Sequence, residues 1–199
     1  MRVMEHFKTI TYHRKLVREH CFRVGLYWQG LTHDLSKFSP TEFLVGAKYF
    51  QGNRSPNNAE KEDKGYSSAW LHHKGRNKHH FEYWLDHTTP GTPGKVLVGM
   101  KMPVRYVVEM FMDRIAASKV YEKEAYTDAS ALNYHERSAR LKPYLHPETL
   151  ELLERLLKML AKYGEEKTFA YVRHILKQDR KERMKHCVLR KHFVRGERK

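Results

Sequence analysis

Hydrophobic positions recur along most of the chain at the three- and four-residue spacing of amphipathic helices, with little of the alternation typical of strands. From Val3 to Val24 the apolar positions follow this period loosely, and Gly25 separates them from a short helix predicted over Leu26–Leu35. Residues 88–99 hold two prolines and three glycines and are predicted to form a loop. Further helices are predicted over 40–50, 58–74, 77–86, 103–118, 128–142, 147–163 and 166–190.

Several of these segments carry start and stop signals. In the sequence Ser39-Pro40-Thr41-Glu42, serine can cap the helix, proline suits the first turn and glutamate can reach back to the cap. Gly164 is a natural end for the leucine-lined helix before it. The 103–118 helix has the clearest apolar stripe, formed by Val104, Val107, Val108, Phe111 and Ile115. The pattern predicts an all-α fold, one helical domain over 1–176 followed by a basic helix and tail over 177–199.

The chain is strongly basic, with a formal net charge of +15 over 199 residues. Residues 177–199 contain ten lysines and arginines against three acids, close to half of that excess. Basic proteins attract phosphate-rich partners, so nucleic acid is one partner that the tail could bind. A solvated helix and a frayed terminus explain the same charge without any partner.

The sequence also indicates in which cellular compartment the protein is expected. No apolar run reaches the length of a membrane helix, and the first residues lack the apolar core of a secretory signal. Cys21 and Cys187 lie far apart and form no CxxC pair, which is typical of reduced thiols. We therefore expect a cytoplasmic protein that does not bind membranes. Motifs of P-loop, Rossmann and serine-hydrolase enzymes are absent from the sequence.

Histidine is the residue type that points to chemistry. The chain has 14 histidines, and five of them fall between His72 and His87. His33 and Asp34 are adjacent at a predicted helix end, where both side chains can converge on one ion. Imidazole combined with carboxylate suits iron, manganese, zinc, nickel or cobalt, so the sequence predicts a divalent transition-metal site.

The segment His33-Asp34-Leu35-Ser36-Lys37 resembles the HDxxK signature of the HD-domain metal-dependent phosphohydrolase superfamily. His13 is similar to the histidine that precedes this signature in that superfamily, and Asp113 to the aspartate that follows it on a later helix. The resemblance covers roughly residues 10–120. The chain also looks like a bacterial family of unknown function.

The resemblance implies one or two ions held by His13, His33, Asp34 and Asp113, with further ligands drawn from His72, His73, His79 and His80. His20 lies two helical turns after His13 and competes with it as the first ligand. A helix that continues through Gly75 would pair His72 with His79 or His73 with His80, whereas a break there would form a corner at which several rings converge.

Basic residues near these histidines are candidates for holding a substrate phosphate. The resemblance implies catalytic roles for Asp34, Lys37 and Arg76, with Lys74 and Lys78 adding positive charge. Glu42 is expected to cap its helix. Glu109 either accepts a hydrogen bond from a ligand histidine or pairs with Arg105. We expect a phosphorylated small molecule, such as a nucleotide, as the substrate.

Three other interpretations remain open at this stage. His33 and Asp34 could be a simple helix end, and the histidine cluster and the acidic edge of the 103–118 helix could be solvated surface. A second enzyme class on an HD-like scaffold holds two irons and activates oxygen. The non-enzymatic alternative is a basic, helical nucleic-acid-binding module with structural histidines.

Overall fold

The computed structural model describes residues 1–88, 94 and 96–196, with side chains up to residue 185. The described part is predominantly helical, as predicted, and contains one short antiparallel pair of strands. Its α-helices are α1 (Val3–Arg23), α2 (Tyr27–Thr32), α3 (Pro40–Tyr49), α4 (Pro56–Lys64), α5 (Ser68–Lys74), α6 (Val104–Glu122), α7 (Ser130–Arg137) and α8 (Pro147–Gly196). Short 3-10 helices lie at Leu35–Phe38, Phe81–Trp84, Lys123–Ala125 and Ala139–Tyr144, and the strands are β1 (Leu85–His87) and β2 (Leu97–Gly99).

This pair of strands is the main departure from the sequence prediction. The predicted helix over 77–86 is wrong, because this segment forms a turn, a 3-10 helix and strand β1. The predicted loop over 88–99 ends in β2, which pairs with β1, and its residues 89–93 and 95 lie outside the described residues. Hydrogen bonds between strands satisfy backbone groups that neither segment satisfies alone, so local periodicity does not reveal the pairing.

Other predicted helices are shorter than expected. The helical signal over 58–74 is divided into α4 and α5 by Gly65, whose φ of 78° lies in the left-handed region that glycine adopts without steric cost. The predicted 128–142 helix ends at Arg137 and continues only as a 3-10 helix containing Pro143. Proline lacks the N–H that a continuing α-helix needs.

Helix α6 forms the centre of the core and packs against α1, α7 and α8. Its predicted stripe is confirmed, since Val107, Val108, Phe111 and Ile115 are almost completely buried. Leucines of α8 face the same core, as predicted: Leu153, Leu157 and Leu160. Because its apolar face is buried, α6 cannot rotate about its own axis. Its polar side chains therefore point in defined directions.

Helix α3 connects α1 to the α4–α5 pair. It begins as predicted, with Ser39 Oγ accepting a hydrogen bond from the Glu42 amide at 3.4 Å and Pro40 in the first turn. The expected hydrogen bond from the Ser39 backbone to the Glu42 side chain does not form. The Glu42 carboxylate instead contacts two histidines of α5. This helix therefore brings a buried acid to the α5 histidines.

Helix α8 changes direction at Gly164, where φ is 75° and ψ is 177°, and this confirms the predicted stop. Beyond it the helix packs on the core through Phe169 and Val172, then continues without interruption through residue 177 to Gly196. The proposed boundary between a domain over 1–176 and a tail over 177–199 stays a prediction. No helix among the described residues has both the length and the apolar character needed to cross a bilayer.

Candidate metal centre

The centre begins at a sharp turn between α2 and the 3-10 helix that follows it. Asp34 has a φ of 53° and a ψ of 27°, a left-handed conformation that aspartate tolerates better than most residues. The turn directs both His33 and Asp34 inward, and each is only 1% exposed. Two adjacent polar side chains are thus buried together, which requires partners of complementary chemistry.

A first group of donor atoms lies around Asp34 Oδ2. His13 Nε2 of α1 is 3.7 Å from this oxygen, and His33 Nε2 is 3.3 Å from it. Asp113 Oδ1 of α6 lies 3.0 Å from His13 Nε2 and 3.6 Å from His33 Nε2. The structure therefore brings together four predicted residues that span 100 positions of the sequence.

A second group lies around the other carboxylate oxygen of the same aspartate. Asp34 Oδ1 is 3.2 Å from His73 Nε2 and 3.4 Å from His79 Nε2. His80 Nε2 completes the group, 2.9 Å from His73 Nε2. Helix α5 ends at Lys74, so the chain turns at Gly75 and forms the corner that was one of the two predicted arrangements.

These distances fit shared metal ligation. Donors about 2.0 to 2.2 Å from a tetrahedral ion lie about 3.4 Å from one another. Within each group the donor atoms all lie within 4.8 Å of one another. Buried ligand atoms of both groups lack a hydrogen-bond partner among the described residues, among them His13 Nε2, His33 Nε2, Asp34 Oδ1 and His79 Nε2. Buried polar atoms are rarely left unpaired, and one divalent ion in each group would satisfy them.

Two glutamates contact the Nδ1 atoms of the histidine rings, which lie on the side of each ring away from the Nε2 atom. Glu109 Oε1 lies 3.0 Å from His33 Nδ1 and 3.2 Å from His79 Nδ1. Glu42 Oε2 lies 2.7 Å from His73 Nδ1, and its Oε1 lies 2.6 Å from His72 Nδ1. A carboxylate that accepts a hydrogen bond from Nδ1 leaves the Nε2 lone pair free for a metal, the arrangement common in histidine metal sites.

The electrostatics of the centre require positive charge beside the acids. Burial disfavours ionisation of Asp34, but the charges of His33, Lys37 and His73 outweigh it and hold the pKa of its carboxyl well below its usual value. A metal ion bound at the centre would take the place of the protons on His33 and His73. Lys37 Nζ is 2.6 Å from Asp34 Oδ2. Burial, with the charges of His79 and His73, keeps the pKa of His80 well below normal, so this ring is a neutral donor. Neutral imidazole is the form that ligates metals.

Some predicted residues lie apart from the two groups. His20 is close to Glu165 and Lys119, away from the centre, so the geometry favours His13 as the first histidine. His72 faces Glu42 and belongs to neither group in the described part of the chain. Arg76 is exposed and donates to the carbonyl of His72. The metal and catalytic roles of all these residues stay predictions.

Sequence reasoning left the role of one glutamate of the centre open and missed that of the other. Glu109 was expected either to accept a hydrogen bond from a ligand histidine or to pair with Arg105, and in the structure it lies beside His33 and His79. Glu42 was interpreted as a cap because the pattern around Ser39 explains a glutamate locally. Its contacts with α5 join residues 30 and 31 positions apart, and no local pattern signals them.

Comparison with known proteins adds a family. Neither a curated protein nor a solved structure matches the chain. Residues 2–159 of the 199 match a family described as a family of unknown function (DUF5662). The match includes every residue of both donor groups and ends within the first half of α8. The chain is therefore a member of the family of unknown function DUF5662.

Proposed function

We propose that this protein is a metal-dependent phosphohydrolase of the HD-domain type, which holds two divalent ions and acts on a phosphorylated small molecule. The observation that carries the proposal is the position of Asp34, whose two carboxylate oxygens face two separate groups of donors. A shared aspartate holds two ions close enough to act on one phosphate. The HDxxK resemblance supports the same assignment.

The donor set favours a transition metal. The first group offers two imidazoles and two carboxylates, and the second offers three imidazoles and one carboxylate. Nitrogen-rich sites of this type suit zinc, iron, manganese, cobalt or nickel better than magnesium or calcium. The second group is richer in histidine, so the two positions need not prefer the same metal.

Side chains around the centre would orient the metal ligands, exclude water and bind the substrate. Ions held there would supply Lewis acidity, which activates water and neutralises charge on phosphate oxygens. Glu109 and Glu42 orient the histidine rings, and burial excludes bulk water. Asp113 and Lys37 keep 18% and 28% of their side chains exposed, so a substrate reaches the centre from their side. From this position the Lys37 ammonium can donate to a phosphate oxygen.

The metal proposal is tested with Asp34→Asn. Asparagine tolerates the left-handed backbone and keeps the side-chain shape, so the fold should survive while both donor groups lose their shared charged ligand. Purified parent protein should contain about two ions per chain, and the variant should contain almost none. Elemental analysis beside circular dichroism measures both properties. A parent chain that takes up none of the five metals, or a variant with unchanged metal content, would reject the proposal.

The hydrolase proposal is tested separately on a panel of nucleotides and sugar phosphates. Lys37→Ala should lower turnover while leaving the metal content unchanged. Arg76→Ala should lower it as well if the arginine contacts the substrate from its exposed position, as the sequence suggested. Oxygen uptake by iron-loaded protein, with no phosphate release, would instead favour the di-iron oxygenase.

Nucleic-acid binding is a second candidate function, supported by the exposed basic end of α8. Arg180, Lys181, Arg183 and Lys185 are all exposed, and the last core contacts of α8 among the described side chains are at Ile175 and Leu176. Such a helix suits the phosphate backbone and needs no base contacts. It is compatible with hydrolysis at the buried centre.

A further inference from the structure

Asn77 connects two histidines of the second donor group. Its backbone N–H donates to the carbonyl oxygen of His73 at 3.1 Å, and its own carbonyl oxygen accepts from the backbone N–H of His80 at 3.1 Å. The side chain adds a third contact, because Nδ2 lies 2.8 Å from the same His73 oxygen. A carbonyl oxygen only accepts hydrogen bonds, so the amino group of the side chain must face it. Asn77 therefore fixes the turn through which the chain passes from His73 to His80.

The same amino group also reaches the HDxxK segment. Asn77 Nδ2 lies 2.8 Å from Ser36 Oγ, which is 41 residues earlier in the chain, and Ser36 Oγ is 3.3 Å from His73 Nδ1. Burial disfavours the charged form of Glu42, but hydrogen bonds, among them those from His73 and Ser36, outweigh it and lower the pKa of its carboxyl. A chain of hydrogen bonds thus runs from Asn77 through Ser36 to the carboxylate that contacts His73.

Hydrophobic packing contributes little to the turn itself. Gly75, Arg76 and Lys78 are all exposed, whereas Asn77 is half-buried. Exposed residues at a turn bury little apolar surface, and such segments open at a low cost in free energy. The two hydrogen bonds of the Asn77 side chain are therefore important for holding the turn in one conformation.

The first donor group is held in a different way. His13 and Asp113 lie within α1 and α6, and both helices pack into the core through buried apolar residues such as Val17 and Phe111. Helix packing fixes the direction of their side chains without help from the turn at Gly75. A contact that supports only this turn should therefore affect only the second group.

We propose that Asn77 and Ser36 are positioning residues, whose hydrogen bond sets the affinity of the second donor group for its ion without changing that of the first. The proposal rests on the metal-binding part of the proposed function. It adds that the two ions are held by independent supports, so that one position can be emptied while the other stays filled.

Titration of the full chain with Co²⁺, followed by visible absorption, tests the proposal without turnover. His80→Ala removes a donor of the second group alone and so identifies the absorption of that ion. Asn77→Ala should weaken binding of the same ion by about 10- to 100-fold, as for other lost supporting contacts. The affinity for the other ion should change by less than about twofold, as expected for an independent site.

Ser36→Ala removes the other partner of the same hydrogen bond and should have the same selective effect. Combining it with Asn77→Ala should weaken binding little further, because the contact is already lost. Ser36→Thr keeps the hydroxyl group and should retain the affinity that Ser36→Ala loses. Asn133→Ala is the matched control, because Asn133 is an exposed residue of α7.

Circular dichroism verifies that each variant is folded. Equal weakening of both ions by Asn77→Ala would overturn the proposal and leave the metal centre in place, as would a variant that binds both ions as tightly as the parent. Losses that simply add in the double variant would also overturn it. A parent chain that binds no Co²⁺ would overturn the metal centre together with its positioning residues. Selective loss of one ion, in a protein that hydrolyses no phosphorylated compound, would support the positioning role and reject the hydrolase.

Discussion

At the scale of single residues, two buried glutamates distinguish this centre from a chance collection of histidines. One oxygen of Glu109 faces the Nδ1 atoms of His33 and His79, which belong to different donor groups. Glu42 instead uses its two oxygens for His72 and His73, both on α5. Glu109 therefore supports both groups, whereas Glu42 supports only the second.

This difference predicts different effects of removing each charge. Glu109→Gln should lower the affinity of both ions, by about 10- to 100-fold for a lost supporting carboxylate, and Glu42→Gln should lower the affinity of one. Competition with a chromophoric chelator, resolving the two ions, measures each affinity. Glu5→Gln is a suitable control because Glu5 is an exposed partner of Arg2. Two ions that respond equally to Glu42→Gln would contradict the assignment.

At the scale of elements, the centre depends on how closely α1 and α3 approach each other. Gly46 of α3 faces His6 of α1, and a Cβ atom at residue 46 would lie 2.3 Å from His6 Nε2. His6 is buried between the rings of Phe43 and Phe50 and has little room to move. The same two helices carry His13 and Glu42, so this contact sets the distance between parts of the centre.

Gly46→Ala should therefore destabilise the protein by about 1 to 3 kcal/mol, the usual cost of overpacking. Denaturant unfolding measures the free energy, and Gly46→Ala combined with His6→Ala should recover part of the loss. Gly75→Ala provides the control, because its φ is −73° and the nearest atom to a new Cβ is 3.4 Å away. A change below about 0.5 kcal/mol for Gly46→Ala, as for an ordinary surface site, would show that α1 and α3 adjust freely.

At the scale of the whole molecule, the part of the chain that matches the family and the part with the strongest basic charge are different segments. The family match ends at residue 159, and the strongest basic excess begins at residue 177. Between them, Phe169 and Val172 pack on the core and anchor the second half of α8. The candidate metal centre and the basic end of α8 are thus separable features of one chain.

Removal of residues 177–199 should leave the metal content unchanged and weaken nucleic-acid binding. The deletion removes a net charge of +7 but keeps Phe169 and Val172. Fluorescence anisotropy with a short duplex at several salt concentrations measures binding, and a shallower salt dependence is expected. A full-length chain with Arg180, Lys181 and Arg183 changed to glutamine should behave similarly. Unchanged binding in both proteins would show that the basic end is only solvated.

The sequence by itself determined most of the long helices and pointed to three members of the first donor group, His33, Asp34 and Asp113, while it left His13 and His20 as alternatives for the fourth. Helix formation is local, so the stripe from Val107 to Ile115 and the stop at Gly164 are visible in spacing and residue type. The His33–Asp34 pair and Asp113 were identified from a short motif and its order along the chain. These features are present in the structure because long-range contacts are compatible with them.

Only the tertiary structure decided which other side chains meet Asp34. His73, His79 and His80 converge because α5 ends before Gly75, and Glu42 and Glu109 reach them from α3 and α6. The pairing of β1 with β2 likewise depends on contact between separate segments. Contacts of this kind are stabilised by packing between elements, which local spacing does not encode. The positions of the helices were therefore needed to distinguish candidate metal ligands such as His73 from sequence neighbours such as His72.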